Sequence, residues 1–159
     1  MTHSSLIPSI GIATLIGGMM SPLAAAEPAK ELLLQAREHC RALNNGEFHA
    51  DDDAVTLLDL TGDGVPEQVI DASHFSCSTA VSPYCGTGGC PLTVIVDGKP
   101  IDFFAQRWKV IHWDAQPVLL LQVFSATCDS NDWQPCIKAL TWSDGSFRGV
   151  VSRPPLTNR

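Results

Sequence analysis

The hydrophobic pattern changes character three times along the chain. From Leu6 to Met20 apolar residues run nearly unbroken except for glycines. Leu33, Ala36, Cys40 and Leu43 then recur at helical spacing, and beyond Val55 apolar residues gather into short runs between turn residues. The helical stretch predicts a helix with Pro28 in its first turn and Asn44-Asn45-Gly46 as its stop. The later runs predict strands at Val55–Leu60, Gln68–Phe75, Leu92–Val96, Ile101–Ala105, Trp108–Trp113, Val118–Phe124, Ile137–Trp142 and Phe147–Val151. Asp97-Gly98 and Asp144-Gly145 are tight-turn signals, and Ala115-Gln116-Pro117 is a further one. Trp108, Val110 and His112 alternate with Lys109, Ile111 and Trp113 as in a half-buried strand, whereas the unbroken run Val118–Leu121 predicts a strand covered on both faces. The order implies an α+β fold: an N-terminal helix packed on a mainly antiparallel β meander, or a partly closed barrel.

The opening apolar run ends in Ala24-Ala25-Ala26 before Glu27, the form of a signal peptide cleaved after Ala26, although no Lys or Arg precedes it. As a membrane anchor the run is too short and too rich in glycine. Residues 27–151 then read as a single domain and residues 152–159, with Pro154-Pro155, as a disordered tail. Net charge is -7, and the leader holds no Asp, Glu, Lys or Arg, so the mature chain keeps that charge. No basic patch interleaves with aromatics, which disfavours nucleic acid and points to cations or basic partners.

All six cysteines follow the leader, and an even number in an exported chain predicts three disulfides, for which fifteen pairings exist. Cys128 and Cys136 bracket the polar turn Asp129–Pro135 and form the first expected pair. Cys85 with Cys90 closes a glycine loop, which leaves Cys40 for Cys77. The rival reading is zinc held by His74, Cys77, Cys85 and Cys90, a spacing that matches no common zinc module.

The segment Asp59-Leu60-Thr61-Gly62-Asp63-Gly64-Val65-Pro66-Glu67 places oxygen side chains at alternate positions around a glycine turn, a pattern suited to a hard dication. Asp59, Thr61, Asp63 and Glu67 would supply side-chain oxygens and Val65 its carbonyl, with Ca2+ as the expected ion. Thr61 at the third position and Ile70 at the twelfth depart from the EF-hand pattern. The segment resembles the calcium loops of FG-GAP and related D-x-D-x-D-G repeats, in which the ion is structural; a single copy excludes a propeller. The run from Asp59 to Cys90 also resembles a group of small exported proteobacterial proteins, a likeness that implies no activity.

No G-x-S-x-G or H-E-x-x-H occurs, and His49, His74 and His112 read as ordinary sheet or edge histidines. The acidic run Asp51-Asp52-Asp53 reads as a solvated loop. Of the four tryptophans, Trp133 lies in the polar Cys128–Cys136 loop, where an exposed ring would serve as a binding anchor. The sequence therefore predicts a periplasmic or secreted module, calcium-stabilised and disulfide-braced, that binds an envelope component or protein without inserting stably in a membrane. The alternatives are a small periplasmic hydrolase using Asp59 and Glu67, or the zinc protein.

Overall fold

Asn44 and Asn45 adopt φ of 56° and 55°, the left-handed conformation that ends a helix, so the chain turns where the sequence asked it to. The helix they close, α1 (Pro22–Ala42), begins six residues before Pro28, which lies in its interior and not in its first turn. The leader boundary expected after Ala26 thus falls within α1. In this computed structural model the described residues are 22–124 and 135–149, with side chains described from Pro28 onward. Cys128, Trp133, residues 1–21 of the expected leader and the expected tail from Ser152 lie outside them.

Among the described residues ten strands follow: β1 (Phe48–Ala50), β2 (Val55–Leu58), β3 (Glu67–Asp71), β4 (Phe75–Cys77), β5 (Cys90–Val96), β6 (Lys99–Ala105), β7 (Arg107–Trp113), β8 (Gln116–Val123), β9 (Cys136–Ser143) and β10 (Ser146–Gly149). All pairings are antiparallel, but the expected single meander is divided. One four-stranded sheet has the order β2-β3-β5-β6, a second has β10-β9-β8-β7, and β1 pairs with β4 alone. Among the described residues no closed barrel forms. The predicted strand Gln68–Phe75 is also broken: Asp71 caps a short 3-10 turn at Ala72–His74 by accepting from Ser73 N (2.8 Å), and the chain then leaves for the β1–β4 ribbon.

Alternation explains the layers. Val69, Leu92, Val94, Val96 and Ala105 of the first sheet meet Leu119, Leu121 and Val123 of the second in one core. Phe147 stands edge-on to both Phe103 and Trp142, which ties the two sheets. The opposite face of the first sheet presents Ile70 and Ile95 to Ala29 and Leu32 of α1. The helix is thus the outer layer on a two-sheet sandwich. β8 does not have two covered faces: Leu119, Leu121 and Val123 are buried, while Val118, Leu120 and Gln122 between them are half-buried on the outer side.

Two bridges fix the outer elements. Cys40, fully buried on α1, joins Cys77 of β4, and Cys85 joins Cys90 at the start of β5. Both pairings are those expected from the sequence. Cys136 is also disulfide-bonded, but its expected partner Cys128 is outside the described residues. Gly86 and Gly89 exchange two backbone hydrogen bonds inside the Cys85–Cys90 loop, and Gly89 sits so close to the Ala105 backbone that any Cβ would collide. Tyr84, edge-on to Phe48 and Phe75, donates its hydroxyl to the Ala36 carbonyl of α1 (2.8 Å). Cover by these neighbours pushes the Tyr84 phenol pKa up.

Candidate functional site

β2 and β3 form a hairpin with chemistry at both ends. At the loop end, Asp59 Oδ1 accepts from Gly62 N (2.6 Å) and Oδ2 from Gly64 N (2.9 Å), while Asp63 Oδ1 accepts from Val65 N (2.8 Å). Gly64 stands at φ 83°, a left-handed conformation that a side chain would strain. Glu67, only 6% exposed, accepts from Leu60 N (2.6 Å) and Thr61 N (3.1 Å), and the Thr61 hydroxyl donates to its other oxygen (3.4 Å). Burial first, then the charges of Asp63 and Asp59, raise the Glu67 pKa above its ordinary value. The five residues singled out in the sequence therefore share one tightly wound loop, with each carboxylate turned onto backbone amides and Val65 pointing its side chain to solvent.

At the opposite end, the metal-type donors that gather are two aspartates that the sequence reads as a solvated loop and His74, which it places only in the zinc set or at a sheet edge. Asp51, Asp53 and His74 have ligand atoms within 4.8 Å of one another, a group that could hold a metal ion. The signal is faint because Asp51 and His74 are separated by 23 residues and meet only through the β1–β4 ribbon, where Asp51 N also donates to the His74 carbonyl (3.2 Å). His74 Nδ1 donates to Asp51 (2.9 Å), and Nε2 lies 3.9 Å from Asp71 Oδ2. The Asp51 hydrogen bond and the charges of Asp51, Asp71 and Asp53 raise the His74 pKa, and the same hydrogen bond lowers that of Asp51. Asp71, 6% exposed, also accepts from Trp108 Nε1 (2.6 Å), so one carboxylate joins the two sheets.

The zinc set does not exist, because Cys77, Cys85 and Cys90 are in disulfides and His74 faces Asp51. His74 and Asp53 instead border a cleft of about 450 Å³ that runs across the ends of β2, β3, β5 and β6. Leu92, Ala105 and Trp108 give it apolar walls, and Asp53, Ser73, His74, Gln106 and Arg107 give it polar ones. That volume lies within the range of small-ligand sites. Of the tryptophans, Trp108 and Trp142 pack against the core, while Trp113 at the end of β7 is 72% exposed.

No protein-family model, curated protein or solved structure matches the chain. Among the described residues, no helix is long and apolar enough to cross a membrane. The two bridges are the mark of an oxidising compartment.

Proposed function

We propose that this chain is a small exported binding module of the cell envelope, disulfide-braced, with the cleft beside Asp71 as its ligand site and calcium in the Asp59–Glu67 loop as a structural brace. The observation that carries the reading is the cleft: a mainly polar lining of Asp53, Asp71, Ser73, His74, Gln106 and Arg107 beside Trp108, at the end of a sheet held by Cys40–Cys77 and Cys85–Cys90. Calcium rests on the spacing of Asp59, Thr61, Asp63, Val65 and Glu67 around a glycine turn. The three carboxylates are turned onto backbone amides and, unlike Asp51, Asp53 and His74, are not gathered at ligand distance, so an ion would have to draw them together.

Hydrolysis is the weaker reading. His74 turns Nδ1 to Asp51 and Nε2 toward Asp71, both carboxylates, so neither ring nitrogen is hydrogen-bonded to a hydroxyl nucleophile. Glu67 is committed to Leu60 and Thr61 amides, so it is poorly placed to act as an acid on substrate. Two carboxylates and one imidazole at the Asp51–Asp53–His74 group would suit a borderline transition ion better than calcium.

Thermal melting tests both parts of the proposal. Calcium at about 10⁻⁴–10⁻³ M should raise the melting temperature over a chelated sample, and Asp59→Ala or Asp63→Ala should abolish the increment. A panel of free amino acids, short peptides and neutral sugars should contain a class that raises it further in the parent but not in Trp108→Ala. If no class does so at millimolar concentration, the binding reading fails.

A further inference from the structure

We infer that the outer face of the β10-β9-β8-β7 sheet packs on the same face of a second copy of this chain, with the strands of the two copies antiparallel. The fold answers only half of one sequence pattern. The unbroken run Val118–Leu121 predicts a strand covered on both sides, yet only Leu119 and Leu121 of that run enter the core. On the first sheet α1 covers the outer side, through Ile70 and Ile95.

Register defines what the outer side of the second sheet carries. Leu119 and Leu121 point inward, so Val118 and Leu120 point outward, and residues opposite each other in a ladder share a side. Ile111 stands opposite Val118, Lys109 and Ala139 flank Leu120, and Arg107 and Ile137 flank Gln122. Trp113 lies two residues beyond Ile111 on the same side. Ile137 is 61% and Trp113 72% exposed, while Ile111, Val118 and Leu120 are half-buried and belong to neither core cluster. A sheet that is apolar on both faces calls for a layer on each.

Charge selects the occupant. Along β7 the outward positions read Arg107, which also borders the cleft, then Lys109, Ile111 and Trp113, and the turn that follows begins with Asp114. Asp144 stands in the β9–β10 turn at the same end of the sheet, 3.3 Å from Arg148. One end is basic and the other acidic. An anionic bilayer would attract the first end and repel the second, and a cationic surface would do the reverse. A second copy turned about a two-fold axis that crosses the strands offers both signs in the needed order. Arg107 and Lys109 of each copy then come beside Trp113 and Asp114 of the other, and Val118 meets Leu120 at the centre. Three strand spacings of about 4.8 Å by six residue rises of about 3.4 Å make a face at the small end of specific interfaces, so the dissociation constant should be on the order of 100 µM.

Analytical ultracentrifugation of the full oxidised chain, from about 5 µM to about 1 mM, tests the pairing. The parent should pass from monomer to dimer across that range. Leu120→Lys, which alters an outward side chain, should stay monomeric throughout. Leu57→Lys, at an apolar residue 63% exposed on β2 and outside the face, should leave the midpoint unchanged. Lys109→Glu and Asp114→Lys each set like charges together twice in a symmetric pair, so each should weaken self-association about tenfold. Mixing these two variants should restore the parental midpoint, because in the mixed pair every reversed charge meets an opposite one. Melting curves at about 5 µM, where monomer dominates, verify the fold of each variant. If Asp114→Lys fails to fold, Asp114→Asn, which tolerates a left-handed turn, should still weaken association about threefold. A parent that remains monomeric to about 1 mM overturns the inference and leaves the face to another cover. Equal losses from Leu57→Lys and Leu120→Lys overturn it too, as does a mixture of folded charge variants that associates no better than either alone.

Discussion

At the scale of single residues, strain and satisfaction mark the positions worth altering. The β7–β8 turn is made by Asp114 and Ala115, at φ 46° and 65°, not by the expected Ala115-Gln116-Pro117. Both central residues of such a turn need left-handed backbone, and alanine bears a cost of roughly 1–2 kcal/mol there. Ala115→Gly should therefore raise unfolding free energy by about 1 kcal/mol in urea titrations, after allowance for glycine's greater freedom when unfolded. Trp108→Phe should act in the opposite direction, lowering stability by roughly 1–3 kcal/mol, because it strips a buried carboxylate of its 2.6 Å donor. Proline at 117 misled the turn assignment: it fits within β8 because the ladder to β9 begins only at Leu119, so the missing N–H has no partner on that side.

At the scale of elements, much was legible and the failures share one cause. Every predicted strand has a counterpart, since alternation and the Asp-Gly turns are local signals. The Cys40–Cys77 and Cys85–Cys90 pairs were legible too, one from a cysteine on the buried stripe of a helix and the other from a short glycine loop. What the pattern did not carry was long-range pairing: β1 with β4, the division into two sheets, and hence the meeting of Asp51 with His74. Helix onset was misplaced as well, because Pro28 reads as a start signal but is accommodated inside α1. The bridges close loops of unequal length, with sequence separations of 37 and 5. By loop-closure entropy, replacing Cys40 and Cys77 together by serine should cost about 4 kcal/mol, and replacing Cys85 and Cys90 about 2 kcal/mol. Equal losses in guanidinium unfolding would show that native contacts, not chain entropy, dominate.

At the scale of the molecule, stability should have a definite pH dependence. The His74 pKa is raised above 6.5, so its ion pair contributes fully below 6.5 and is lost as pH rises through the folded value. Glu67, raised above 4.5, likewise contributes most below 4.5 and loses that contribution as pH rises through its folded value. Asp51 is depressed below 3.8, so its contribution is present above 3.8 and disappears as pH falls through the folded value. Denaturation midpoints should therefore decline from mildly acidic toward alkaline pH, with His74→Gln removing the upper part of the decline and calcium opposing the Glu67 part. A midpoint that rises steadily from pH 5 to 8 would contradict this account.

Cys90 belongs at once to the Cys85–Cys90 bridge and to the wall of the cleft. Severing that sulfur link with a mild thiol should loosen the wall while α1 and the sandwich core endure. If the proposed binding reading holds, anything seated there would be kept only while the link is oxidised, and a chain that strayed into a reducing milieu would let go before it unfolded.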